Sequence, residues 1–347
     1  MAVYASTFVS GLQEPVKDIL KKQISDVDII HLYDGLVVYR TRANADIIKK
    51  LEFFNNSFLV LEQIKGKNIA SVKSMLKAEV NADDIRKKIS PVLKGRKYGY
   101  RIVVSKENRL IPVRDSLLKP IESKLSGIKF LYLNRRNPDV EFWFLLRSEK
   151  TGFFMMRLTQ KASTEKRLSK GELRPELCSI MCSIAGVDGN DIFLDPFCGH
   201  GAIPITRASM FKYNMIFASD SDPDMVKRLR KRVKQLRNLG SGLFIVKNMD
   251  ALNMSAFDDG FIDKIVTDPP WGMYKDMDMD IEIFYKQMMK EMYRVLKPNG
   301  IMVILTARKD EFERVLSGFE RRLMMLNKYD ILVSGKKASI YKILKEA

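Results

Sequence analysis

Cysteine is scarce in this chain and histidine scarcer: three cysteines, Cys178, Cys182 and Cys198, and two histidines, His31 and His200, among 347 residues. An odd, sparse set of thiols builds no disulfide framework and suits a reducing compartment, so a cytoplasmic location is expected. Cys178 and Cys182 stand four apart, on one helical face, but no second Cys or His cluster follows to complete a metal shell. They read as core residues, and no metal is expected. Long apolar runs are missing too. None approaches the roughly 18 to 20 residues that cross a bilayer, and the opening MAVYASTFVSGLQEP carries no basic segment of an export signal. Membrane and export readings are not expected.

Acidic residues are outnumbered, 42 against 60 Lys and Arg, which leaves a formal charge of +18. A surplus of that size favours polyanionic partners, nucleic acid first. The chain is otherwise 46% hydrophobic and 29% charged, ordinary globular composition with enough length for several cores.

The first third alternates short extended and helical stretches. AVYASTFVS and HLYDGLVVYRT read as extended, EPVKDILKKQI and ADIIKKLEFF as helical. A second α+β unit follows, with DDIRKKISPVLK and PVRDSLLKPIESKLS helical, YGYRIVVSK extended, and VEFWFLLRS and TGFFMMRLT as two strands. Their joint is EKTG, where Gly152 is expected to supply a positive φ. RRNPDVEFWFLLRSEKTGFFMMRLT resembles the closing part of a THUMP domain, an RNA-binding unit of RNA-modifying enzymes. YASTFVSGLQEPVKDIL resembles the ferredoxin-like segment that precedes such a domain. The expected organisation is a ferredoxin-like domain at 1–65, a THUMP-like domain at 66–158, a linker at 159–176 and a catalytic domain at 177–347. The linker, TQKASTEKRLSKGELRPE, is polar and rich in Lys and Arg. Lys161, Lys166, Arg167, Lys170 and Arg174 are candidate phosphate contacts there, and Lys161, Arg167 and Arg174 are kept as RNA-contact candidates.

After the linker the pattern becomes strand, helix, strand, helix, which predicts a mostly parallel sheet with helices on both faces. The tail YDILVSGKKASIYKILK adds two strands about a GKK turn, an antiparallel edge hairpin. IFLDPFCGHGAI is a strand breaking into a glycine turn and a helix, and ligands of open α/β sheets lie beyond the carboxyl ends of such strands. Gly199 and Gly201 permit a close backbone approach, but Pro204 stands where a dinucleotide fingerprint needs its third glycine. A nicotinamide cofactor is disfavoured. Asp220 closes the next strand at the place where a carboxylate receives ribose hydroxyls, while Asp222 before Pro223 reads as a helix N-cap. Asp250 ends a third strand and is suited to receive an exocyclic amine, with Ala251 leaving room beside it.

Three strand ends therefore converge on a nucleoside. LDPFCGHG, ASDSD and NMDAL resemble successive motifs of class I methyltransferases, and LKPNG before IMVILT fits the same family; the resemblance covers Leu173 to the C-terminus. It implies a Rossmann-like seven-stranded domain. It further implies an S-adenosyl-L-methionine site lined by Asp195, Pro196, Phe197, Cys198, Gly199, Gly201, Asp220, Ser221, Asp250, Ala251 and Asp268.

TDPPWGMY, residues 267–274, places two prolines and a tryptophan behind an aspartate. The lone pair of an exocyclic amine is delocalised into its base, so methylating it needs acceptors that draw density back onto nitrogen. Asp268 and the Pro269 carbonyl are such acceptors, Pro269 and Pro270 stiffen the loop, and Trp271 is placed to stack on the base. Stacking contributes roughly 1 to 3 kcal/mol per base, which offsets extraction of a base from a helix. No strong general base is demanded, in keeping with two histidines; His200, inside the glycine turn, reads as structural or as a cofactor contact. DPPW resembles the D/N-P-P-aromatic motif of amino-methylating enzymes, which usually end it in tyrosine or phenylalanine.

The order of segments is similar to THUMP methyltransferases that form N2-methylguanosine in tRNA. That resemblance implies a structured-RNA substrate, tRNA first, with Asp268, Pro269, Pro270 and Trp271 as the catalytic loop. Alternatives are guanine-N2 methylation of ribosomal RNA, adenine-N6 methylation of DNA, and a non-catalytic RNA-binding protein. The basic helix DMVKRLRKRVKQLR puts Met225, Leu229, Val233 and Leu236 on one face, and Lys227, Arg230, Lys231, Lys234 and Arg237 around the rest, usually a solvated face.

Overall fold

The computed structural model describes residues 1–64, 71–77, 80–107, 109–159, 168–169, 171–236, 239–272 and 279–347. Lys161, Lys166, Arg167, Lys170 and Arg237 lie outside the described residues.

The N-terminal elements are β1 (Ala2–Thr7), α1 (Gln13–Gln23), β2 (Asp28–Tyr33), β3 (Leu36–Thr41), α2 (Ala45–Ile48), β4 (Asn56–Ile64), α3 (Val72–Leu76), α4 (Ala82–Ile89), β5 (Tyr98–Lys106), β6 (Arg109–Leu110), α5 (Asp115–Ser126), β7 (Leu131–Leu133), β8 (Val140–Leu146) and β9 (Gly152–Arg157). The first four strands lie in the order β2-β3-β1-β4, with β1 antiparallel to both neighbours, which is the split βαβ arrangement expected of a ferredoxin-like segment. The boundary expected at residue 65, however, runs through one nine-stranded sheet. β4 pairs with β9, and the order continues β9-β8-β5-β6, with β7 also on β5. The cause is a shared apolar face: Ala5, Leu36, Val38, Phe58 and Val60 pack with Leu145, Phe153 and Met155 in one cluster, which neither segment could bury alone. The chain forms two compact units, one of residues 1–7 and 23–162 and the other of residues 8–22 and 163–347.

Three local expectations change in this unit, the first being the helix over ADIIKKLEFF, which forms only as α2, Ala45–Ile48. α4 stops at Ile89, short of the predicted run to Lys94: Ser90 keeps helical backbone and bonds to the Arg86 carbonyl, but Pro91 has no N–H to continue the ladder. At the β8–β9 joint the positive φ falls on Lys150, at 55°. Gly152 instead begins β9 beneath α3, where an added Cβ would sit 3.1 Å from Met75 Cγ and Sδ.

The second unit contains α1 and a seven-stranded sheet. Its elements are α6 (Pro175–Ala185), β10 (Ile192–Asp195), α7 (Ala202–Met210), β11 (Met215–Asp220), α8 (Pro223–Gln235), β12 (Leu243–Asn248), β13 (Ile262–Thr267), α9 (Ile281–Val295), β14 (Leu296–Thr306), α10 (Lys309–Ser317), β15 (Leu323–Val333) and β16 (Lys336–Lys345). Sheet order is β12-β11-β10-β13-β14-β16-β15. Six strands run in one direction; β16 inserts antiparallel between β14 and β15. This is the Rossmann-like architecture with its antiparallel hairpin, turning at Ser334 and Gly335, both at positive φ. Cys178 and Cys182 are fully buried on α6, as core residues. The order reverses at β10, whose neighbours are β11 and β13, and that switch point is where open α/β sheets bind ligands.

Candidate active site

The chain leaves β10 at Asp195 and turns through Phe197 and Cys198 into α7. Gly199 and Gly201 both have positive φ, 46° and 86°. They serve different ends. A Cβ on Gly201 would fall 2.3 Å from Leu229 Cδ1, so this glycine lets α7 pack against α8. A Cβ on Gly199 would meet no atom within 4 Å, so this one leaves an open approach to the strand ends.

Asp220, at the end of β11, braces that turn. Its Oδ2 accepts from Gly199 N at 2.9 Å and its Oδ1 from Asp222 N at 3.0 Å. Each carboxylate oxygen keeps a further lone pair for a ligand hydroxyl. Asp222 caps α8 as expected, accepting from Asp224 N at 2.8 Å, with Pro223 in the first turn. Asn248, the last residue of β12, ties the neighbouring strand in: its Nδ2 donates to the carbonyls of Asp220 and Ser221 at 2.9 and 3.0 Å. Sequence reading passed over Asn248, although a side-chain amide at a strand end was the available signal. Asp250 is exposed, with Oδ1 accepting from Leu252 N at 2.9 Å, while Ala251 is buried beside it.

Asp195 is buried and crosses from β10 to β13. Its Oδ1 accepts from Thr267 Oγ1 at 2.7 Å and from Phe197 N at 3.2 Å. Burial pushes its carboxyl up to about 7, against the pull of those two donors. Pro196 and Cys198 are buried and Phe197 half-buried, its ring 5.8 Å from that of Phe284. The backbone carbonyl of His200 accepts from Arg232 at 2.8 Å, a structural contact.

Beyond β13 the DPPW loop begins. Burial pushes the carboxyl of Asp268 up to about 8; the Trp271 indole pulls it down and the charge of Asp195 pushes it up again. Trp271 is half-buried, and its Nε1 donates to Asp268 Oδ1 at 2.9 Å. The loop backbone is held from two other elements. Tyr285, on α9, donates its hydroxyl to the Pro270 carbonyl at 3.2 Å and shares a 2.8 Å bond with Thr306 Oγ1 at the end of β14. Arg308 Nε donates to the Trp271 carbonyl at 2.8 Å. None of Tyr285, Thr306 and Arg308 was legible in sequence, since each lies at least 14 residues from the loop and acts only through the packing of α9 and β14. Pro269 is buried and Pro270 exposed.

Thus Asp195, Asp220, Asp250 and Asp268 all stand at or just past the carboxyl ends of neighbouring parallel strands. The arrangement fits a nucleoside-bearing cation: acceptors converge from four strand ends, and Gly199 leaves space for close approach. Arg174 lies at the N-cap of α6. On α8 the buried residues are Val226 and Leu229, while Arg230 donates to the Val246 carbonyl at 2.9 and 3.2 Å and so is partly engaged within the fold. Among the described residues no group of three or more His, Cys, Asp or Glu could hold a metal, and no helix is long and apolar enough to cross a membrane.

Residues 164–332 match a family model described as the RMKL-like methyltransferase domain. Bovine (Bos taurus) tRNA (guanine(6)-N(2))-methyltransferase THUMP3 is 30% identical over 179 residues, 49% of this chain and 35% of that protein. The tRNA (guanine(10)-N2)-dimethyltransferase of Methanocaldococcus jannaschii is 27% identical over 64% of this chain and 66% of that one. The chain therefore spans between one third and two thirds of the length of these curated relatives. Among solved structures, TrmN from Thermus thermophilus superposes with a TM-score of 0.76 at 17% identity, covering 99% of this chain and 100% of that one, a likeness of fold.

Proposed function

We propose that this chain, whose residues 164–332 carry an RMKL-like methyltransferase domain, methylates the exocyclic 2-amino group of a guanosine in structured RNA, tRNA first. The observation that carries the reading is the Asp268 loop. A half-buried acceptor just past β13 is held on a backbone pinned by Tyr285 and Arg308, beside the glycine turn of β10. The relatives' names support guanine and tRNA; a carboxylate aimed by the Trp271 indole supports an acceptor for an amine.

S-adenosylmethionine supplies, when bound, an electrophilic methyl on a cationic sulfur, a charge that favours ionised carboxylates nearby. Asp220 would hold its ribose and Asp250 its adenine amine, while Gly199 admits the close approach. On the substrate side, Asp268 accepts an N–H of the target amine, localises the nitrogen lone pair and is placed to take the proton the amine gives up. The Trp271 face stacks on the extruded base. Positioning supplies much of the rate, since no distant proton relay is needed. The N-terminal unit, with its ferredoxin-like strand order, would hold the RNA, and Arg174 is kept as a contact. The cytoplasm is the proposed location.

Incubation with labelled S-adenosylmethionine and unmodified tRNA, followed by nucleoside analysis, should give N2-methylguanosine, and Asp268→Ala should give none. Product retained in that variant removes Asp268 from the mechanism. Parallel incubations with ribosomal RNA and duplex DNA decide the substrate: methyladenine in DNA without methylguanosine in RNA overturns the reading.

A further inference from the structure

The indole of Trp271 is fixed by its edge as well as by its backbone. Its Nε1 reaches Asp268 Oδ1 at 2.9 Å, its carbonyl takes the guanidinium of Arg308 at 2.8 Å, and the carbonyl before it takes the Tyr285 hydroxyl at 3.2 Å. Swinging the ring away from the carboxylate breaks the Nε1 bond, while the two carbonyl bonds hold the main chain from which the ring projects. A tryptophan used only as a stacking platform needs no such edge contact, and a phenylalanine in its place would stack without it.

We propose that Trp271 is a positioning residue acting through its indole N–H, which aims Oδ1 of Asp268 and shifts that carboxyl towards its proton-accepting form. The inference rests on the reading of Asp268 as the acceptor of the target amine. Its physical basis is a balance. Among the described residues the titratable groups that face Asp268 are Asp195 from β10, Cys178 from α6 and Tyr285 from α9, while Arg308, beyond β14, spends its Nε on the Trp271 carbonyl. Burial and the Asp195 charge both favour the protonated carboxyl, and the indole is the hydrogen-bond donor the structure sets against them. A protonated Asp268 would turn one of its oxygens into a donor, which an N–H of the substrate cannot use. Loss of the indole donor should therefore act on protonation, whereas loss of the ring face should act on RNA affinity.

The test is a carboxyl titration with 13C-labelled aspartate, the Asp268 signal being assigned with Asp268→Asn. In Trp271→Phe the midpoint of Asp268 should rise by roughly one unit, the scale on which one charge-assisted hydrogen bond acts. The acid limb of kcat against pH should rise with it, costing roughly tenfold at pH 6.5 and recovering towards pH 9. A second protein with 3-benzothienylalanine at position 271 keeps the bicyclic ring and lacks only the N–H, and it should titrate like Trp271→Phe. An unmoved midpoint in both proteins overturns the proposal, as does a loss of RNA affinity equal at every pH with no change in the profile. A midpoint that moves in a protein that methylates no RNA overturns the proposed substrate and leaves the effect of the N–H on Asp268 standing.

Discussion

Oδ2 of Asp220 lies 2.9 Å from the backbone nitrogen of Gly199, so a single side chain ties the end of β11 to the glycine turn that follows β10. Its other oxygen accepts from Asp222 N at 3.0 Å, at the start of α8. Asp220 is thus a brace of the turn before any ligand arrives. A ribose bound there would meet a carboxylate already aimed by the fold.

Asp220→Asn should therefore damage both stability and cofactor binding. An amide offers one acceptor oxygen and sets its NH2 against a backbone N–H, so a cost of about 1 to 3 kcal/mol is expected. Chemical denaturation and calorimetry with S-adenosylmethionine measure the two effects. Asp250→Asn, at an exposed position, should weaken binding with little loss of stability. Equal unfolding midpoints for Asp220→Asn and the wild type would contradict the bracing role.

The two glycines of the turn should separate. Gly201→Ala meets both a φ of 86° and the Leu229 methyl, so it should lose about 2 to 3 kcal/mol of stability. Gly199→Ala meets open space and only the backbone strain, about 1 to 2 kcal/mol. Its larger effect should be on cofactor affinity, because the added methyl occupies the approach. Urea melts and ligand titrations on the pair check this; the reverse ranking would assign the open approach wrongly.

Tyr285→Phe removes one hydroxyl that bonds both the Pro270 carbonyl and Thr306. The expected loss is about 1 to 2 kcal/mol in stability. The turnover of the proposed reaction should fall several-fold, with cofactor affinity unchanged, because the loop that carries Asp268 is loosened while the glycine turn is untouched. Steady-state kinetics with a parallel cofactor titration read this out, and a fall in cofactor affinity alone would argue against a loop-specific role.

Asp195 and Asp268, pushed up by burial to about 7 and about 8, hold protons in the folded state that an unfolded aspartate releases near 3.9. Between about pH 4 and pH 8 the folded chain binds more protons than the unfolded one, so these groups make stability fall as pH rises. Asp268→Asn removes one of them. Its unfolding midpoint should decline less between pH 5 and pH 8 than that of the wild type, and parallel slopes would mean that Asp268 ionises as an ordinary aspartate.

Much of the architecture was legible locally. The alternation of apolar strands with amphipathic helices predicts the parallel sheet, and GKK between two alternating runs predicts its hairpin, because these depend on period and turn chemistry. The N-cap at Asp222 was legible for the same reason: Asp before Pro satisfies helix-start donors within four residues. The boundary at residue 65 was not, because nothing in either segment says that β4 and β9 will pair, Phe58 with Arg157, 99 residues further along the chain. Gly152 misled for a related reason: its neighbours in sequence form a turn, but its neighbour in space is Met75.

The sequence by itself determined which acids end strands and that a proline-stiffened aspartate stands before a tryptophan. Those features follow from short-range backbone and solvation preferences. Only the tertiary structure decided what each acid does first: Asp220 grips the glycine turn, Asp195 bridges to Thr267, and Asp268 takes the indole N–H of Trp271 while Tyr285 and Arg308 hold the loop. Hydrogen bonds and raised carboxyl pKa values depend on which groups meet in space and how much water they lose there, and both are set when the strands and helices pack.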